Sequence, residues 1–108
     1  MTDFKGLQGT QERISGVTIK MYDEDAYATE FSAEIVGVSK DNECIYLILD
    51  RTLFFPEEGG QSPDTGNIEG FEAVDVQISG DTITHTIRYG EEAESTLIKG
   101  KTVRGHVN

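Results

Sequence analysis

From Phe31 onward, apolar and polar residues alternate with a period of two over most of the chain. In "FSAEIVGV", Phe31, Ala33 and Ile35 share one face and Ser32 and Glu34 the other, which predicts a half-buried strand. "KDN" at 40–42 carries hairpin chemistry, and "ECIYLILD" then runs apolar from Cys44 to Leu49, as for a strand covered on both sides. "EAVDVQIS" places Val74, Val76 and Ile78 together, and "SGD" turns the chain. "TITHTIRY" sets Ile83, His85, Ile87 and Tyr89 against Thr82, Thr84, Thr86 and Arg88. "KTVRGHV" closes with Val103, Gly105 and Val107 in register. No segment has an amphipathic helical period; "EEAEST" predicts one short turn at most.

About six short strands, spaced by turn residues, predict an all-β fold: a small antiparallel β-barrel, closed or partly open. Closure would remove the exposed edges that a chain this short has few other means of protecting. Residues 1–19 are polar and glycine-spotted and read as a weakly ordered lead-in or an appended segment, although "GVTI" would also serve as the start of an edge strand. Residues 20–108 form the predicted barrel domain, with no internal repeat. "MYDEDAYATE" reads as an acidic turn. Asp23 and Asp25 lack the loop glycine and distal glutamate of an EF-hand, so no metal is expected there.

Composition leaves this picture unchanged: 108 residues, 36% hydrophobic and 27% charged, suit one globular domain. Charge does change it. Twenty acids against nine bases give −11, which disfavours non-specific binding to nucleic acid or an anionic membrane over most of the surface. After Glu94 there is no acid, while Lys99, Lys101 and Arg104 follow; this is either a solvated basic strand or a docking edge for RNA phosphate or a following domain. Cys44 is the only cysteine, so no internal disulfide forms, and a reducing, cytoplasmic setting is expected. Cys44 itself reads as a small core residue with nothing nearby to activate it. No apolar run reaches membrane-spanning length, and no membrane partner is expected.

The stretch that departs from alternation is "LDRTLFFPEEGGQSPDTGNI", Leu49 to Ile68. In strand geometry Phe54 and Phe55 face opposite sides, and Pro56, lacking an N–H, ends the ladder. Gly59 and Gly60 permit positive φ and close approach; Gln61 carries an amide that both donates and accepts; Asp64 is able to bond backbone N–H groups ahead of it. The predicted feature is a shaped loop offering backbone donors and one amide beside an exposed aromatic.

A bare G-G-Q is a weak signal, but the ordered set Thr52, Phe54, Phe55, Pro56, Gly59, Gly60, Gln61, Asp64 and Gly66 is far more restrictive. This block resembles the glycine-rich motif of the alanyl-tRNA synthetase-related proteins, including the AlaX-type trans-editing proteins that hydrolyse mischarged alanine tRNA. "MYDEDAYATEFSAEIVGV" and "LIKGKTVRGHVN" extend the similarity more loosely, to about 88 residues. The resemblance implies a β-barrel of the translation-protein type, set against a zinc-binding editing domain in full-length members. It implies that Gly59, Gly60 and Gln61 hold the terminal ribose or amino acid, that Thr52 supplies a hydroxyl beside Phe55, and that Asp64 fixes the turn. The implied partners are the tRNA acceptor end and the C-terminal zinc domain.

Two departures stand against the pattern. Glu58 occupies a position where many members have a third glycine, which adds a carboxylate beside Glu57. The family's H-x-x-x-H helix and downstream cysteine–histidine pair are absent; His85, His106 and Cys44 are scattered over strands and form no ligand pair. No catalytic residue, metal ligand or cofactor is therefore expected in this chain, zinc being expected in the missing half. His85 reads as a packed or rim histidine, and His106 as facing solvent or a domain interface. Two other readings stay open: an ester hydrolase using G-G-Q alone, as in peptide release factors, and an acidic barrel that binds a basic partner.

Overall fold

The computed structural model describes residues 17–23 and 28–108. The expectations for residues 1–16 and for Asp25 lie outside the described residues. In chain order the elements are β1 (Ile19–Lys20), a 3₁₀ turn (Met21–Asp23), β2 (Glu30–Lys40), β3 (Cys44–Leu49) and β4 (Arg51–Thr52). Then follow β5 (Gly66–Ile68), β6 (Phe71–Ser79), β7 (Thr82–Arg88), the helix α1 (Glu91–Thr96) and β8 (Thr102–Val107). Six strands close into an antiparallel barrel in the order β2-β3-β7-β6-β5-β8, so the expected all-β fold is present in its closed form.

The alternating residues make this ring because their apolar halves all turn inward. Phe31, Ala33 and Ile35 of β2 meet Ile45, Leu47 and Leu49 of β3, Ile83 and Ile87 of β7, and Val103 and Val107 of β8 in one core. Each fully buried large aliphatic or aromatic side chain contributes about 1.5–3 kcal/mol relative to exposure. Closure depends on β2, the longest strand. Its first half pairs with β8, from Glu30 opposite His106 to Glu34 opposite Thr102. A register shift between Ile35 and Gly37 then bends it, and its second half pairs with β3. Gly105 of β8 sits against the Phe31 ring, and an added Cβ would collide with that ring.

The β2–β3 hairpin is built on Asp41. One carboxylate oxygen accepts from the N–H groups of Glu43 and Cys44, both at 2.8 Å, and the other accepts from the Tyr46 hydroxyl at 2.6 Å. These bonds hold the Asp41 carboxyl below its usual range and push the Tyr46 phenol up to about 12.

Four local expectations need correction. A bulge between Ala73 and Asp75 in β6 turns Ala73 into the core and leaves Val74 half-buried, while Val76 is buried as expected. Tyr89 lies beyond the end of β7 and is 41% exposed. Cys44 is half-buried rather than core, because the outward face of β3 (Cys44, Tyr46, Ile48) is only partly covered. "EEAEST" forms a six-residue α-helix, α1, held to the barrel by buried Ala93 and Leu97. Its Glu91, Glu92 and Glu94 suit the positive end of the helix dipole. No helix among the described residues is long and apolar enough to cross a membrane.

β1 and β4 lie outside the ring as a short parallel pair, Ile19 opposite Arg51 and Lys20 opposite Thr52. Thr18 ties this pair to the β6–β7 turn: its N–H donates to the Asp81 carbonyl at 2.8 Å, and its hydroxyl accepts from the Ile83 N–H at 3.2 Å.

Candidate functional site

The chain leaves β4 at Thr52 and plunges inward, burying Leu53 and Phe54. Thr52 goes with them, fully buried. Its Oγ1 accepts from the Phe54 N–H at 3.0 Å and lies 2.9 Å from His85 Nε2. His85 Nδ1 is 3.2 Å from the Leu47 carbonyl, which only accepts, so Nδ1 carries the proton and the Thr52 hydroxyl donates to Nε2 of the neutral ring. Burial pulls the His85 pKa down to about 4. Phe54 meets the imidazole edge-on, ring centroids 5.6 Å apart. His85 is thus a packed histidine, and its side chain and the Thr52 hydroxyl satisfy each other inside the core.

Beyond Phe54 the chain emerges as a loop closed at its base by one reciprocal pair. The Phe55 N–H donates to Asp64 Oδ2 at 3.0 Å, and the Asp64 N–H donates to the Phe55 carbonyl at 2.9 Å. The Asp64 carboxylate therefore reaches back along the chain rather than to N–H groups ahead of it. One limb is pinned to β6: the Glu57 N–H donates to the Val76 carbonyl at 2.8 Å, and the Gln77 amide donates to the Glu57 carboxylate. Past the loop, β5 can approach β8 closely because residue 66 is glycine; a Cβ there would collide with the His106 carbonyl.

The tip is a tight turn from Glu58 to Gln61, with the Gln61 N–H donating to the Glu58 carbonyl at 3.0 Å. Gly59 and Gly60 take φ of 60° and 86°, the paired left-handed geometry of a type I′ turn. A Cβ at either glycine would meet nothing within 4 Å, so backbone conformation rather than close approach requires glycine in this structure. Glu58 has no positive φ, so the backbone at that position does not require glycine.

Beside the turn lies an open groove lined by Tyr22, Asp23, Phe55, Gln61, Ser62 and Asp64. The Tyr22 and Phe55 rings pack with centroids 4.9 Å apart at 57°. A smaller cavity shares Tyr22 and Asp64 and continues past Thr29 and Leu53 to Val107. Partial burial, then the nearby Asp23 and Glu58 charges, raise the Tyr22 pKa, and the described lining itself carries two acids, Asp23 and Asp64.

Of the residues singled out in the sequence, Phe55, Gln61 and Asp64 converge on this groove. Gly59 and Gly60 stand at the adjoining exposed tip, and Thr52 is elsewhere, in the core. Tyr22, Asp23 and Ser62 were not anticipated. Tyr22 sits in an acidic stretch without periodicity, and its approach to Phe55 is a tertiary contact that no local spacing encodes. His106 is partly exposed, its Nδ1 3.7 Å from a Glu30 carboxylate oxygen. No three histidine, cysteine or acidic side chains among the described residues are grouped to hold a metal ion, so these residues do not fit a zinc site.

Similarity to known proteins bears on this geometry. The family described as "tRNA synthetases class II (A)" matches residues 7–108. The chain is 40% identical over 97 residues to the alanine–tRNA ligase of Saccharolobus islandicus, covering 84% of this chain and 10% of that protein. It is 43% identical over 74 residues to the alanine–tRNA ligase of Ignicoccus hospitalis, covering 65% and 8%. For the ligase of Archaeoglobus fulgidus the values are 37% over 87 residues, 77% and 9%. The chain thus spans about a tenth of the length of the relatives it matches. On the match over nearly its whole length, the chain belongs to the alanyl-tRNA synthetase-related family, the class II (A) tRNA synthetases.

Proposed function

We propose that this domain is the β-barrel module of an alanyl-tRNA synthetase-like or AlaX-type protein, and that it binds and positions the acceptor end of mischarged aminoacyl-tRNA for hydrolytic editing in the cytoplasm. The hydrolysis is assigned to a separate zinc-binding domain, whose metal would supply the activated water. One observation carries this reading: the side chains of Phe55, Gln61 and Asp64 meet at one open groove beside an exposed glycine turn whose base is locked. In this role the turn and the Gln61 amide hold and orient the ester-bearing end, and the barrel is the rigid mount.

Catalysis by the chain alone is not favoured by the geometry. Thr52 and His85 stand at the 2.9 Å separation of a hydroxyl nucleophile and its base, but both are 0% exposed, so no ester can reach them. The test is to join this barrel to the zinc-bearing editing half and substitute Gln61→Ala. Deacylation of mischarged tRNA should fall by about tenfold, the order expected for losing one positioning hydrogen bond. Unchanged deacylation and unchanged amino-acid discrimination would reduce the loop to architecture.

A further inference from the structure

Independently of that role, we infer that the cleft between α1 and the β2–β3 hairpin is a docking surface for another protein, one that presents an aliphatic side chain beside acidic residues. Val38 and Lys40 at the end of β2 form one wall, Glu94, Ile98 and Lys99 the other, and buried Ile45 and Leu97 the floor. None of these residues belongs to the groove at the glycine turn. The two surfaces stand at opposite ends of β8: the chain enters that strand just after Lys99 and leaves it at Val107, which lines the cavity adjoining the groove.

Apolar surface gathers here beyond what the barrel requires. Of the five large exposed apolar side chains among the described residues, three lie at this end: Val38, Ile98 (53% exposed) and Tyr89, whose hydroxyl donates to Glu94 at 2.9 Å. Such clustering marks an interaction surface, whereas single exposed apolar residues do not. Ile98 is also held in place. The Lys101 N–H donates to the Ile98 carbonyl at 3.2 Å across a turn in which Gly100 takes φ of 92°. The Gly100 N–H then donates to the Ile35 carbonyl of β2 at 2.7 Å. An aliphatic side chain fixed half in water adds little to the fold and is pre-organised for a partner. The concavity, about 260 Å³, falls below the roughly 300 Å³ at which pockets for drug-sized ligands begin, and it suits an inserted side chain.

Charge decides what flanks that side chain. Lys40 and Lys99 stand against Glu94, a net positive lining on a chain of −11. The Glu94 carboxylate is already engaged, paired with Lys40 and accepting from Tyr89. Lys99 makes no hydrogen bond or ion pair with another described residue. Its ammonium is left for a partner, and a carboxylate is the complementary group. The acidic remainder of the surface repels the same partner, which confines docking to this end. One free ammonium between aliphatic walls does not suit RNA, which calls for several bases along a phosphate run.

The probe is a short peptide of leucines flanked by glutamates, acetylated and amidated so that its termini carry no charge. Titrated into the ¹⁵N-labelled chain, it should give saturable shifts at the amides of Val38, Lys40, Ile98 and Lys99, and none at Gly59, Gly60 or Gln61. A matched peptide with lysines for the glutamates should bind about tenfold more weakly. Ile98→Ser should weaken the glutamate peptide by about tenfold. Lys99→Glu should weaken it too, while strengthening the lysine peptide. Both positions are exposed on the turn, so neither variant disturbs the core.

Equal affinity for the two peptides would overturn the charge complementarity, and wild-type affinity in Ile98→Ser would overturn the anchor. If N-acetyl-leucine binds as tightly as the peptide, the cleft is a small-molecule pocket and the inference fails. It fails equally if neither peptide saturates, or if duplex RNA moves the same amides more strongly with a steep salt dependence. None of these outcomes bears on the editing role, because Gln61 and its groove lie at the other end of β8.

Discussion

At the scale of single residues, the ionisation of His85 is coupled to stability. In the unfolded chain its imidazole takes a proton near the ordinary value of about 6.5. In the fold burial keeps it neutral down to about 4, the bond to the Leu47 carbonyl opposing only part of that shift. The unfolded state therefore binds the extra proton between these values. The stabilisation is complete above pH 6.5, declines as pH falls toward 4, and changes no further below that, a total of about 3 kcal/mol. Urea unfolding of the wild type should show this decline, and His85→Gln should show it flattened, the difference between the two isolating His85 from the many carboxylates. Gly105 offers a second test. Gly105→Ala drives a methyl into the Phe31 ring and should cost about 1–3 kcal/mol by thermal unfolding, even though alanine is the better strand residue. The placement of His85 between Ile83 and Ile87 was readable from a period of two. Its bond to Thr52 was not, since a sequence separation of 33 leaves no local trace.

Among the elements, the strands and the glycine loop differ in how much of them could be read beforehand. β8 and the first half of β2 followed their alternation residue by residue, and β7 did so except at Thr86, which is buried as well, because one side of each faces the core and the other is turned outward. β6 did not. An extra residue at its bulge swaps Val74 for Ala73, and a bulge leaves the count of apolar residues unchanged. The loop's turn was legible from Gly59 and Gly60, whereas its clamp was not: Asp64 read as bonding N–H groups ahead of it, and its carboxylate instead accepts from Phe55 behind it. That clamp predicts a local effect. Asp64→Ala leaves the Phe55 N–H without its acceptor and should destabilise the loop by about 1–2 kcal/mol. Hydrogen exchange should quicken at Phe55, Asp64 and Glu57, while the amides of Leu47 and Val103, deep in the barrel, keep their protection. Equal acceleration throughout would mean that the loop and the ring open as one unit.

For the molecule as a whole, closure and charge work together. Joining β2 to both β3 and β8 leaves no full-length edge for another strand to extend. The charge of −11 adds electrostatic repulsion between copies and discourages indiscriminate contact with RNA phosphate. Contact with tRNA in the proposed role must then be confined to a small surface of suitable chemistry, which the groove between Tyr22 and Gln61 provides.

The reciprocal Phe55–Asp64 bonds have a wider consequence. With the neck knotted and Glu57 pinned to β6, the tip from Glu58 to Ser62 is the part left over, so its residues can be exchanged with little pull transmitted to the strands. Such an arrangement lets discrimination drift from one lineage to another while the scaffold is inherited intact.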